Sequence, residues 1–254
     1  DYFGDTIGLT LFEKPYNEFG VDIEQISDST FVITGGTSEI AIIPSIYDLF
    51  VSEVELNGNV NWKTIIDDPN SNGYGEGGAI AVTTDGGYVV AARRESGNYL
   101  CKLNQQGTLL WDYFPPYSDS YVSNVSIVIE PSDSSIIALW NSWAPPNGYN
   151  PLYARCSKDG SLMWTTSISS PFNQSANGLI TDNGKIYSTG FYSDAVAGNQ
   201  LLFMELDTSG IIDNQYLIED DSNLVSGTVG TSIQKQNSNF VVAGYWNESW
   251  MFDT

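Results

Sequence analysis

A strand–turn–strand unit that ends in tryptophan recurs along the chain. It reads DLFVSEVELNGNVNW at 48–62, NYLCKLNQQGTLLW at 98–111 and PLYARCSKDGSLMW at 151–164, with a weaker copy, QLLFMELDTSGIIDN, at 200–214. A second element recurs ahead of it: STFVITGG (29–36), GGYVVAAR (86–93), SSIIALW (134–140), GKIYSTG (184–190) and SNFVVAG (238–244). Trp62, Trp111 and Trp164 stand 49 and 53 residues apart (111 − 62 and 164 − 111). A period of about fifty, built from short alternating runs between Gly, Asn and Asp turns, excludes helical repeats and demands a stack of small sheets.

Each repeat predicts four strands, typified by GGAIAVTT (77–84), GYVVAA (87–92), YLCKLN (99–104) and TLLWDY (108–113). The first–second and third–fourth joins, such as TTDGG and SKDG, are tight hairpin turns that need the positive backbone dihedrals Gly and Asn supply. Four-stranded units at this period are the blades of a β-propeller. Four complete blades are expected at roughly 17–65, 66–117, 118–170 and 171–219, and a fifth at 220–254 whose last strand is missing. Residues 6–12, TIGLTLF, stand alone before the first blade and can supply that strand, closing the ring and leaving no free edge. The expectation is an all-β, five-bladed, single-domain propeller.

Composition narrows the chemistry. Nine Lys and Arg against 31 Asp and Glu give a net charge of −22, which repels phosphate backbones and argues against nucleic-acid partners. With no His, Ser-His-Asp and Cys-His catalysis and His-ligated zinc, haem or copper are excluded. Two cysteines are too few for a thiolate zinc site or an iron–sulfur cluster. Cys101 and Cys156 fall on third strands of adjacent blades with the same parity, so free thiols are expected in place of a disulfide. No apolar run is long enough to span a membrane. The start without Met, the polar composition and the Asn-x-Ser sequons at Asn124, Asn173 and Asn247 point to a secreted or cell-surface protein.

The stretches LYARCSKDGSLMW, YLCKLNQQGTLLW and GGYVVAARRESGNYLCKLN resemble the tryptophan-bearing blades of quinoprotein-like (PQQ-like) propellers and of bacterial secreted propeller proteins. That resemblance covers nearly the whole chain. It implies a scaffold in which each outer-strand Trp ties neighbouring blades, and no residue set matches a quinone-cofactor pocket. SKDGSLMW is also similar to the sialidase Asp-box, but Gly160 follows Asp159 directly and the spacing is one short. A sialidase also needs three converging arginines, and only Arg93, Arg94 and Arg155 are present.

In an antiparallel blade the fourth–first and second–third connections share one face. Here they are longer, more varied and richer in rings and acids than the tight turns opposite, which makes them the expected binding face. Trp143, Tyr149, Tyr192, Tyr245 and Trp246 are its candidate ligand-binding rings, while Trp140 and Trp250 read equally as rings packed between blades. The run Asp68-Pro-Asn70-Ser-Asn72-Gly-Tyr-Gly-Glu76 places oxygen donors as in the opening of a calcium loop, and reads either as a Ca2+ site or as a solvated acidic turn. If Ca2+ binds, chelation lowers the melting temperature and Asp68→Ala abolishes that sensitivity; a melting curve indifferent to calcium and chelator ends the idea.

Catalysis by carboxylates remains open. The candidates are Asp22 on the first inner strand, Glu76 before the second and Asp119 before the third. The leading sequence reading is a non-enzymatic extracellular binding propeller for a glycan or another surface protein. The alternatives are a carbohydrate-active glycoside hydrolase using those acids, or a structural module of a larger surface assembly.

Overall fold

A computed structural model describes residues 18–38, 47–67, 76–94, 97–115, 122–143, 148–194, 198–218 and 226–248. The chain divides into two compact units, residues 1–118 and 119–254, each of which is described by itself.

In the first unit, one four-stranded antiparallel sheet consists of β1 (Glu18–Ser27), β2 (Thr30–Thr37), β3 (Asp48–Glu55) and β4 (Val60–Ile66), and a second of β5 (Glu76–Val82), β6 (Tyr88–Arg94), β7 (Gly97–Leu103) and β8 (Leu109–Tyr113). The second unit begins with a sheet of β9 (Val122–Ile129), β10 (Ile136–Trp143), β11 (Tyr149–Cys156) and β12 (Leu162–Ser167). Its next sheet holds β13 (Asn173–Asp182), β14 (Lys185–Asp194), β15 (Gly198–Asp207) and β16 (Ile212–Ile218), and a last pair is β17 (Ser226–Gln236) and β18 (Asn239–Glu248). The strands follow the predicted boundaries closely. The expected third strand of the fifth repeat and the closing segment 6–12 lie outside the described residues.

Turn chemistry explains the hairpins. Gly58, Gly107, Gly160 and Gly210 all take positive φ at the third–fourth turn of their sheets. In three of those turns a side-chain oxygen closes the loop: Asn104 Oδ1 accepts Thr108 N–H, Ser157 Oγ accepts Ser161 N–H and Asp207 Oδ1 accepts Ile211 N–H.

Glycine serves a second purpose at two of these turns. A Cβ on Gly107 would lie 2.4 Å from the Trp62 ring, and one on Gly210 would lie 2.7 Å from the Trp164 ring. Each tryptophan therefore seats its ring on the turn of the following sheet. Two residues on, Thr64 Oγ1 donates to Gly107 O at 2.6 Å, and Thr166 Oγ1 donates to Gly210 O at 2.8 Å. The Trp-x-Thr sequence thus makes the same two-point clasp once within each unit.

Apolar residues between the sheets form one cluster per unit. Val32, Leu49 and Val51 meet Ile80, Tyr88, Val90 and Tyr99 in the first, and Leu139 and Tyr153 meet Ile186, Leu202 and Met204 in the second. Removing each such large side chain from water stabilises the fold by about 1.5–3 kcal/mol. Trp140 is fully buried, so it belongs to the packing. Cys101 and Cys156 are buried free thiols. Desolvation pushes their pKa values up to about 12 and about 11, which leaves both unreactive at neutral pH.

The hairpin between β5 and β6 is held by Lys102, whose ammonium hydrogen-bonds Asp85. That bond is the main reason the Asp85 carboxyl falls from 3.8 to about 2. A carboxylate whose pKa is lower in the folded state adds stability above its unfolded pKa, and that contribution is lost as pH falls through the folded value. Acid titration of stability between pH 4 and 2 should therefore be shallower in Lys102→Met than in the wild type. The effect is small because Asp85 is largely exposed and screened.

Candidate active site

The first strand of every sheet carries a β-bulge at the same place. The extra residue is Val21 in β1, Gly78 in β5, Asn124 in β9, Asn177 in β13 and Thr231 in β17. Opposite the residue just before it stand Gly35, Ala92, Asn141, Gly190 and Gly244. The bulge turns a carbonyl against that position: a Cβ on Gly35 would lie 1.9 Å from Phe19 O, on Gly190 1.8 Å from Ser175 O, and on Gly244 2.1 Å from Val229 O. This is the physical origin of the recurring glycine in TGG, STG and VAG.

In the first unit the bulge positions a pair of acids. Asp22 and Glu24 are paired with Thr34 and Val32 in unbroken register, so their side chains leave the same face of β1. Asp22 Oδ2 accepts the N–H of Ile80 on β5 at 2.9 Å, and Oδ1 accepts the N–H of Ile23 at 2.9 Å. Glu24 lies between Asp22 and Ile26, and Ile26 packs on the apolar cluster. Partial burial, with the Asp22 charge as the second cause, raises the Glu24 pKa above the ordinary glutamate value. Two neighbouring carboxyls in unequal surroundings can divide the labour, one holding a proton and the other accepting one.

Of the three acids singled out from sequence, Asp22 lies in this pair. Glu76 opens β5, the strand to which Asp22 bonds, with its backbone opposite Arg93. Asp119 lies outside the described residues, as do Asp68, Asn70 and Asn72 of the expected calcium loop. Among the described residues no three acids, cysteines or histidines gather as a metal site. Glu24 was not singled out, although the Asp-Ile-Glu alternation on a predicted inner strand is its signature.

Arg94 and Arg155 are committed elsewhere. Arg94 is buried, with Nη2 donating to Ile66 O at 2.8 Å and the guanidinium 3.9 Å from the Tyr99 ring centroid. Arg155 donates to Ser135, Thr208 O and Asp133. Neither is poised to hold a substrate carboxylate, in keeping with the argument against a sialidase.

The second unit places the candidate rings at strand ends. Trp143 and Tyr149 face one another across β10 and β11, edge to face with centroids 5.1 Å apart. Tyr192 makes a similar pair with Phe172 at 5.7 Å. Tyr245 is exposed on β18; Trp246 follows it opposite Thr228, and Trp250 lies outside the described residues. Phe172 is a ring that sequence reasoning passed over.

No family model and no curated protein sequence matches the chain. Solved structures do. One is a protein of unknown function from Dyadobacter fermentans, 9% identical, covering 91% of this chain and 76% of that one with a TM-score of 0.62. Another is the exo-beta-1,3-galactanase of Phanerochaete chrysosporium in complex with galactose, 14% identical, covering 89% of this chain and 55% of that one with a TM-score of 0.53. The chain thus spans little more than half the galactanase's length. At such identities the likeness establishes the fold: an all-β, five-bladed, propeller-like arrangement of four-stranded antiparallel sheets.

Two expectations are corrected. The likeness runs to propellers of the glycosidase type, not to quinoprotein-like blades. The Trp–Gly clasp misled because it is scaffold mechanics, available to any blade with a glycine in its third–fourth turn. The leading expectation of a non-enzymatic binding propeller gives way as well: the solved structures that share the fold include a glycosidase, in line with its carbohydrate-active alternative.

Proposed function

We propose that the chain is a carbohydrate-active glycoside hydrolase whose acid–base pair is Glu24 and Asp22. The observation that carries this reading is the placement of Asp22 and Glu24 side by side on one face of β1, with Asp22 bonded to Ile80 N–H of β5; partial burial and the neighbouring charge push the Glu24 carboxyl up. Glycosidases need a carboxylic acid that protonates the leaving oxygen and a carboxylate that activates water or attacks directly. Glu24 suits the first role. Asp22, steered by two backbone amides, suits the second. The product anomer tells the two routes apart: inversion needs carboxyls about 6.5–9.5 Å apart with a water between them, and retention needs them about 5–5.5 Å apart for direct attack.

The likeness to a galactanase makes β-1,3-linked galactan the first substrate to try, followed by other polysaccharides and their aryl glycosides. Such substrates are extracellular, in accord with a secreted or surface location for this chain. Among the described residues no helix is long and apolar enough to cross a membrane. The test is sugar release by the wild-type protein, with the product anomer read by NMR. Absence of release from the whole series ends the proposal. Equal release by Asp22→Asn and Glu24→Gln moves catalysis to other residues.

A further inference from the structure

A second group of side chains, in the other unit, is arranged to hold sugar rings. Trp143 is 40% exposed and Phe172 is 37% exposed, and each is propped by a tyrosine, Tyr149 and Tyr192, in an edge-to-face pair. The two pairs come from different sheets and are locked to each other. The Tyr149 N–H donates to Asn173 Oδ1 at 2.8 Å, and Asn173 is the residue next to Phe172. Gly148 makes this approach possible, since a Cβ there would meet the Asn173 side chain at 2.8 Å. Beneath, Gln174 is buried, opposes Tyr192 across the strand pair, and donates to Ile168 O at 2.6 Å. The rings are thus half-exposed on a braced floor, the state in which aromatic faces bind at small entropic cost.

From this arrangement we infer that Trp143, Tyr149, Phe172 and Tyr192 form a binding ledge for a neutral oligosaccharide. The four rings and Asn173 carry no charge. The nearby cations of these two sheets, Arg155, Lys158 and Lys185, belong to the tight-turn ends of their strands, where Arg155 binds Asp133 and Lys185 binds Asp213 and Glu205. An acidic sugar would meet a protein of net charge −22 with no cation from those ends to receive it. A neutral pyranose face, apolar on one side and rimmed with hydroxyls, matches rings beside a side-chain amide. This inference stands apart from the assignment of Asp22 and Glu24, because binding at the ledge requires no bond cleavage.

Affinity electrophoresis tests it, with the Glu24→Gln protein run through gels containing a neutral galactan, an arabinoxylan, a β-glucan or the anionic polygalacturonate. The expected result is retardation by at least one neutral polysaccharide and none by polygalacturonate. Trp143→Ala and Phe172→Ala should each weaken the apparent affinity by tenfold or more. Tyr216→Ala, which removes an exposed ring on β16, should leave it unchanged. Melting temperatures close to the parent's will show that truncating these half-exposed rings leaves the fold intact. No retardation by any neutral gel, stronger retardation by polygalacturonate, or equal loss in the Tyr216 variant would each overturn the ledge.

Discussion

Glu24→Gln is expected to lose 10²- to 10⁴-fold in kcat with little change in KM, the range spanned by loss of a positioned general acid. Glu24 must carry its proton to act, and its pKa lies above the ordinary glutamate value, so wild-type activity should persist past the pH at which a typical glutamate ionises and then decline. In the glutamine variant that alkaline decline should disappear together with most of the rate. Stability provides a second readout with the opposite sign. A carboxyl whose pKa is raised by folding contributes stability only while it is protonated, and that contribution is lost as pH rises through the folded value. Above its folded pKa the charged Glu24 therefore works against the fold, and in that pH range Glu24→Gln should melt no lower than the wild type. A Glu24 that only tied β1 to its surroundings would show the reverse, with a lower melting temperature and an unaltered pH profile.

Gly190→Ala is expected to destabilise the protein by about 3–5 kcal/mol, at the upper end of single-substitution effects. The new methyl would stand 1.8 Å from Ser175 O and 2.7 Å from its carbonyl carbon. Those are backbone atoms of the paired strand, so no rotamer change relieves the overlap and the bulge itself must open. Gly184→Ala supplies the contrast. Its φ of 74° strains an L-residue, yet the nearest atom, on Thr208, is 3.7 Å away, and a cost of about 1–2 kcal/mol is expected. Chemical denaturation of both variants checks the pair. A loss at Gly190 no larger than that at Gly184 would show that the bulge opens readily and that the carbonyl does not select glycine there.

The strands were legible because turn chemistry is local: Asn104, Ser157 and Asp207 close their own loops and announce them in sequence. The Trp–Gly clasp was half legible. Its tryptophans mark the period, but the seat on Gly107 or Gly210 belongs to the next repeat, 45 and 46 residues on (107 − 62 and 210 − 164). The bulges left no mark on their own strands, since Val21, Gly78, Asn124, Asn177 and Thr231 share no side-chain chemistry; only the glycines facing three of them, Gly35, Gly190 and Gly244, showed in sequence, without their cause. Among site residues, Asp22 could be found from its place on an inner strand. Glu24 could not, because an alternating acid reads as solvated; its raised pKa comes from partial burial and from the Asp22 charge two residues before it. Trp143 and Tyr192 stood out by their polar flanks, whereas Phe172 gains meaning only through Tyr192, twenty residues away.

The bulge in β1 also acts as a phase shift. Glu18, Asp22 and Glu24 are all even-numbered, and an unbroken strand would line them up on one side as a run of three negative charges. The added residue between Gly20 and Asp22 reverses the alternation at that point. Glu18 is sent to the opposite side of the sheet, where it meets Thr37 and the Lys63 ammonium. Asp22 and Glu24 keep the side that faces β5. Forcing Val21 into the ladder, so that the strand ran unbroken at its present length, would exchange the inside and outside of everything before it, bring a third carboxylate beside the pair, and leave Lys63 without its counter-ion.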